Sequence, residues 1–200
     1  MFDIPAVAQA LALYNPEDLS SRLTQYAAVA VILRPTPDNR VALGFIKRAF
    51  HEGDRWSGHV AFPGGKYEPS DADSLHTAVR ETFEEVGITL VRDAHLGRLT
   101  DIQARNQSGM LPFYIRPHVF VLSEEPEIKL DEREVASFGW VDLEWFFHPA
   151  HKKTHVVNDS LGQRELPAYV MPDESTLWGL THMITEELLA LLGHFKKINP

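Results

Sequence analysis

Three carboxylates in this chain are spaced for joint chemistry. Glu81, Glu84 and Glu85 stand at i, i+3 and i+4 in the run Arg80-Glu81-Thr82-Phe83-Glu84-Glu85-Val86-Gly87. At about 100° per residue they share one sector of a helix. Like charges at this spacing repel and weaken an isolated helix, so something must offset the repulsion. Hard divalent cations such as Mg2+ or Mn2+ take oxygen ligands, and clustered carboxylates meet that need. Taken alone, the triplet fits an ordinary solvated acidic face better. It is not alone: Phe62-Pro63-Gly64-Gly65-Lys66 lies upstream, a turn whose glycines permit close backbone approach. Such a turn can aim a carbonyl oxygen at a metal held by the following helix.

The elements that must position these groups follow from periodicity and punctuation. Ser70 to Val86 reads as the best-defined helix, with Ser70, Asp71 and Asp73 as N-cap candidates and Gly87 as a left-handed stop. Leu75, Val79, Phe83 and Val86 form its expected core-facing stripe. A first helix is expected over Pro5 to Leu13, and an amphipathic last helix over Glu174 to Leu192. Tyr26–Leu33 and Val41–Ile46 read as a hairpin. Further strands are expected at Ile88–Val91, Leu96–Thr100, Tyr114–Leu122 and Ala136–Val141, the last leading into a short helix at Leu143–Phe147. His155–Val157 and Leu166–Val170 suggest a late hairpin. The strands and helices interleave without a strict βαβ rhythm, which points to an α/β fold with a mixed sheet between helices.

The bulk properties bound the function. Two hundred residues suffice for one substantial core, and with no repeat or flexible linker a single domain over 1–200 is expected. A formal net charge of −9 and no long basic run argue against nucleic-acid partners. A phosphate-bearing small molecule remains compatible, since bound cations reverse the local field. The absence of cysteine excludes disulfides, thiolate zinc sites and a cysteine nucleophile. No apolar run is long enough to span a bilayer and no basic leader precedes the first apolar stretch, so no membrane partner and a cytoplasmic location are expected. His151 and His155, with His148, have a zinc-like spacing only if helical, which Pro149 opposes; a solvated loop is the better reading.

The glycine turn and the carboxylate helix together resemble the box of the Nudix hydrolase family. That box runs Gly, five residues, an acid, seven residues, Arg-Glu, an apolar residue, any residue, Glu-Glu, any residue, Gly and an apolar residue. Gly65 is followed at that spacing by Asp71, and then by eight residues before Arg80, so the chain has Asp for Glu and one insertion; Thr82 also stands at an apolar position. The resemblance implies a Nudix-type α/β/α sandwich with the box at residues 64–88. It implies metal ligation by Glu81 and Glu85, with Glu84 binding directly or through water, and by the Gly64 carbonyl, with Mg2+ or Mn2+ as cofactor. Arg80 would orient the glutamates by charge-assisted hydrogen bonds. Glu134 occupies the place of the acid outside the box that completes the site or acts as base, with Glu132 the weaker candidate; its alternative reading is an exposed loop glutamate.

The lead-in Arg55-Trp56-Ser57-Gly58-His59-Val60-Ala61-Phe62-Pro63-Gly64-Gly65 is similar to that of the coenzyme A pyrophosphatase-like Nudix group, which shares the one-residue insertion. The stretch Gly44-Phe45-Ile46-Lys47-Arg48-Ala49 departs from that group's pattern, so substrate transfers less safely than catalysis. Arg48, Arg55, His59 and Lys66 are candidate phosphate contacts, Trp56 and Tyr67 candidate stacking partners for a base, and surface or structural roles are their alternatives. Trp178 reads as packing. The expected reaction is attack of water on a diphosphate, aided by divalent ions and by a glutamate free to accept a proton. The expected substrate is a nucleoside diphosphate derivative, coenzyme A first, with ADP-ribose, a dinucleotide or a nucleotide sugar as alternatives. A non-catalytic nucleotide sensor is the reading of another class. The apolar N-terminal segment and last helix are candidate homodimer surfaces.

Overall fold

Strand β1 (Gln25–Pro35) sets the layering, because alternate side chains of an extended chain face opposite ways. In the computed structural model, which describes residues 2–53, 56–106, 109–159 and 162–198, β1 is apolar on both faces. Ala28, Ala30 and Ile32 enter one core with Leu75, Ala78 and Val86 of helix α2 (Ser74–Val86). Val31 and Leu33 enter a second core with Val7 and Leu11 of α1 (Ile4–Leu13) and Ile184, Leu188 and Leu192 of α3 (Gly179–Ile198). Helices thus cover both faces of the sheet, an α/β/α sandwich.

The sheet is mixed. β2 (Val41–Arg48) runs antiparallel to β1, and β7 (Gly109–Val121) runs parallel on its other side, from Gln25↔Phe113 to Leu33↔Val121. β3 (Val60–Ala61) and β8 (Val135–Asp142) pair with β2; β5 (His95–Arg98) and β6 (Ile102–Asn106) pair with β7. The short β4 (Gly64–Lys66) lies antiparallel on β1. A separate antiparallel sheet joins β9 (Lys152–Asp159), β10 (Gly162–Val170) and β11 (Thr176–Trp178).

Several expectations change. The last helix begins at Gly179, because Glu174 turns left-handed at φ 64° and closes a turn that returns the chain as β11. Ile88–Val91 is not a strand: Ile88 and Leu90 are buried beneath α2 as plugs, ahead of a 3-10 turn at Arg92–Ala94. Strand β6, polar in sequence, exists through its pairing with β7. The Gly-Gly turn is strand β4, preceded by a bend at Pro63. Leu143–Phe147 is a 3-10 turn, and His155 pairs with Leu166 in the late hairpin. Val7, Ala10 and Leu11 of α1 and Ile184, Leu188, Leu189 and Leu192 of α3 pack into the intramolecular core, while Leu13 and Met183 stay exposed. Among the described residues, no helix is long and apolar enough to cross a membrane.

Candidate active site

Helix α2 starts later than its N-cap candidates suggested. Asp73 is the cap, its carboxylate accepting from the His76 N–H at 2.8 Å. Asp71 lies outside the helix and is almost fully buried, where it takes both arms of the Arg80 guanidinium, at 2.9 Å each. The Glu68 N–H and the Thr77 hydroxyl also bond Asp71, at 2.9 Å each. Arg80 foremost, then these donors, hold the Asp71 carboxyl far below the usual carboxylate range. The remaining guanidinium bonds reach Glu81 Oε1 at 2.9 Å, Glu84 Oε2 at 3.0 Å and the Lys66 carbonyl at 3.0 Å. Arg80 therefore acts as a clamp, orienting two of the three glutamates against the end of β4.

The buried face of α2 differs from the expected stripe. Phe83 is 58% exposed, whereas Thr82 and Glu85 are buried with Leu75, Ala78 and Val86. Thr82 tolerates burial because its hydroxyl donates to the Ala78 carbonyl at 2.7 Å. Glu85 turns inward to accept the Gly64 N–H at 2.9 Å. Residues 83 and 85 are about 200° apart on a helix, so burying Glu85 turns Phe83 out.

Two glycines make this contact possible. Gly64 sits at φ 148°, where a Cβ would run into the Ala28 carbonyl and Val29 of β1. At Gly65 a Cβ would occupy the space of the Glu81 carboxylate. The Pro63 carbonyl accepts the Ala30 N–H at 2.8 Å and fastens the turn to β1.

The far end of α2 gathers the outlying acid. The Val86 and Glu85 carbonyls, left open at the helix terminus, accept the N–H groups of Lys129 at 2.9 Å and Asp131 at 3.0 Å. This seats the turn carrying Glu132 and Glu134, both exposed, over the glutamates; the Glu134 carbonyl in turn receives the Ala49 N–H at 2.8 Å. Burial pushes the Glu85 carboxyl up to about 8; the charges of Glu81 and Glu134 add to this, while the Gly64 N–H and Arg48 oppose it. Glu81 is raised as well, by burial first and by Glu84 and Glu134, against Arg80. Four acids from two chain segments thus share one electrostatic neighbourhood.

The expected substrate contacts separate. Arg48, at the bulged end of β2, acts on Glu85 by its charge. Lys66 is exposed and brings its carbonyl to Arg80. His59 bonds through its backbone to Arg48, whose N–H it accepts at 3.0 Å, while its ring lies between Trp56 and Trp178. Arg55 lies outside the described residues. His151 stacks on Trp145 at 3.5 Å rather than joining His155, whose ring meets Trp178. Sequence reasoning missed the full role of Asp71 and that of Thr77; the shifted acid of the box was the only local signal.

No three His, Asp or Glu side chains among the described residues converge as a ready metal cage. Instead, Arg80 donates to one oxygen each of Glu81 and Glu84, and the Gly64 N–H to one of Glu85. The donor set nevertheless suits a hard cation, being all oxygen, mutually repelling and given room by Gly65.

Residues 24–160 match the family model described as NUDIX domain, and the chain belongs to the Nudix hydrolase family. It is 29% identical over 187 residues to the mouse protein named mitochondrial coenzyme A diphosphatase NUDT8, covering 87% of this chain and 82% of that one. The human protein of the same name is 30% identical over 177 residues, covering 87% and 73%. A Schizosaccharomyces pombe protein, uncharacterized protein C14C4.10c, is 42% identical over 101 residues, 49% of this chain; the chain spans only 31% of that relative's length. A MutT/nudix family protein from Enterococcus faecalis shares the fold, with TM-score 0.55 and 17% identity over 93% of this chain and 64% of that one.

Proposed function

We propose that the chain is a divalent-metal-dependent pyrophosphohydrolase of nucleoside diphosphate derivatives, with coenzyme A or its derivatives as the preferred substrate. One observation carries the catalytic reading: from a separate segment the charge of Glu134 raises the proton affinities of Glu81 and Glu85, and that of Glu81 adds to it at Glu85, an arrangement that a cation would complete. Glu81, Glu84 and Glu85, with the Gly64 carbonyl, would hold Mg2+ or Mn2+, Glu81 and Glu84 exchanging contacts with Arg80 to do so. When bound there, such an ion would supply positive charge to the diphosphate oxygens and would ease loss of a proton from the attacking water. Glu134 accepts the proton of the attacking water as oxygen bonds phosphorus and the bridging P–O bond breaks. Arg48 meets the negative charge that develops on the departing phosphate. Asp71 holds Arg80 and thereby the glutamates.

Coenzyme A is supported by the likeness over most of the chain to proteins named coenzyme A diphosphatase and by the lead-in sequence. Cleavage would release a phosphopantetheine product and 3′,5′-ADP. Glu85→Gln is expected to abolish Mg2+-dependent turnover while the circular dichroism spectrum stays native; unchanged turnover removes the assignment. A panel of coenzyme A, ADP-ribose, NADH, diadenosine polyphosphates and UDP-sugars tests the substrate, and cleavage of another member with coenzyme A untouched overturns the preference.

A further inference from the structure

Two tryptophans and two histidines form a continuous run of rings beside the carboxylate site. Trp56 and His59 come from the segment entering β3, Trp178 from β11 and His155 from β9. His155 and Trp178 have centroids 4.5 Å apart at 34°, and Trp178 and His59 4.9 Å apart at 59°. His59 and Trp56 are 5.7 Å apart and nearly perpendicular, at 84°. The inner three rings are partly buried and brace one another, whereas Trp56 at the outer end is 52% exposed. Perpendicular rings make a corner, in which a planar molecule can lie on one face and meet the other ring edgewise.

This corner is rigidly tied to the carboxylates. Arg48 and the His59 segment exchange backbone bonds, Arg48 N–H to the His59 carbonyl at 3.0 Å and Gly58 N–H to the Arg48 carbonyl at 3.2 Å. The charge of Arg48 acts on Glu85. From His59 the chain runs through Val60, held by the Thr181 hydroxyl at 3.1 Å, and Phe62, stacked on Phe45 at 4.8 Å, to Gly64. Tyr67, another exposed aromatic of this region, packs instead on Tyr26 at 5.1 Å. Stacking on an aromatic ring suits a base, since every base has a π-face.

We propose that the Trp56–His59 corner, backed by Trp178 and His155, stacks the purine base of the substrate whose diphosphate reacts at Glu81, Glu84 and Glu85. This assignment rests on the pyrophosphohydrolase reading above and adds a specificity-determining surface to it. Calorimetric titration of ADP and of inorganic pyrophosphate, each with Mg2+, into the wild-type chain and Trp56→Ala tests it. The base-bearing probe should bind the variant about tenfold more weakly, with pyrophosphate affinity unchanged and Trp56→Phe largely restored. In the wild type, ADP should quench tryptophan fluorescence, and Trp56→Ala should lose most of that quench. Equal weakening of both probes, unchanged ADP affinity, or no binding of ADP to the wild type overturns the assignment. Failure of the hydrolase reading shows separately, as absent Mg2+-dependent turnover in a wild-type chain that still binds ADP through Trp56.

Discussion

Glu85 is the residue on which the site turns. Its carboxylate is buried at 2% exposure, accepts the Gly64 N–H and has a proton affinity raised to about 8. A carboxyl whose folded pKa lies above its unfolded value stabilises the fold fully below the unfolded pKa, and that contribution is lost as pH rises through the folded value. The metal-free protein should therefore lose stability between about pH 4.5 and 8 from this group. In chelator at pH 8.5, Glu85→Gln is expected to melt higher than the wild type, and added Mg2+ should raise the wild-type midpoint more than the variant's. A variant that melts lower in chelator at this pH would contradict the burial argument. The spacing of Glu81, Glu84 and Glu85 was legible because it is local; the inward turn of Glu85 was not, because Gly64 supplies its partner from 21 residues away.

At the scale of the element, α2 is anchored at its start by a buried polar chain. Ser74 and His118 are 3.0 Å apart, and the other ring nitrogen of His118 is 3.1 Å from His95. Burial first, then the charges of His95 and Arg116, lower the His118 pKa to about 3, against an opposing pull from Asp73. The sign follows from the protons bound: the unfolded chain takes up a proton below about pH 6.5, which the folded chain refuses. Stability is complete above that pH and falls as pH drops toward 3, by at most about 1.4 kcal/mol per pH unit for this group. Urea unfolding at pH 7.5 and pH 5.0 should show a smaller acid loss in His118→Gln than in the wild type. Equal losses would remove His118 as the source. The helix stop at Gly87 was readable in advance, but its start was displaced because Asp71 is engaged by Arg80 and leaves the cap to Asp73.

Over the whole molecule, β1 separates two cores, one under α2 and one under α1 and α3. The helix that carries the three glutamates thus lies on one face of the sheet, and α1 and α3 form a supporting face on the other. Leu188 is fully buried on the supporting face. Its truncation to Ala should cost about 2–5 kcal/mol of stability, through lost burial and the cavity left behind. Leu188 packs in the core under α1 and α3 and not in the one beneath α2, which carries the three glutamates. Metal-dependent turnover per folded molecule should accordingly stay near wild type in Leu188→Ala, measured below its lowered midpoint. A large loss of turnover at full folding would show that the two faces are coupled.

The chain's own pattern determined that a carboxylate helix follows a glycine pair, that strands and helices interleave around a mixed sheet, and that cysteine chemistry is absent. Each of these is written in spacing, caps or composition, which act over a few residues. Tertiary structure decided which face of α2 is buried, turning Thr82 and Glu85 in and Phe83 out. It also brought Glu134 over the helix end and aligned four rings from three segments. Those choices depend on partners contributed by distant strands, since the Gly64 N–H, the turn at residues 129–135 and the Trp178 ring meet α2 and His59 only once the sheet has assembled.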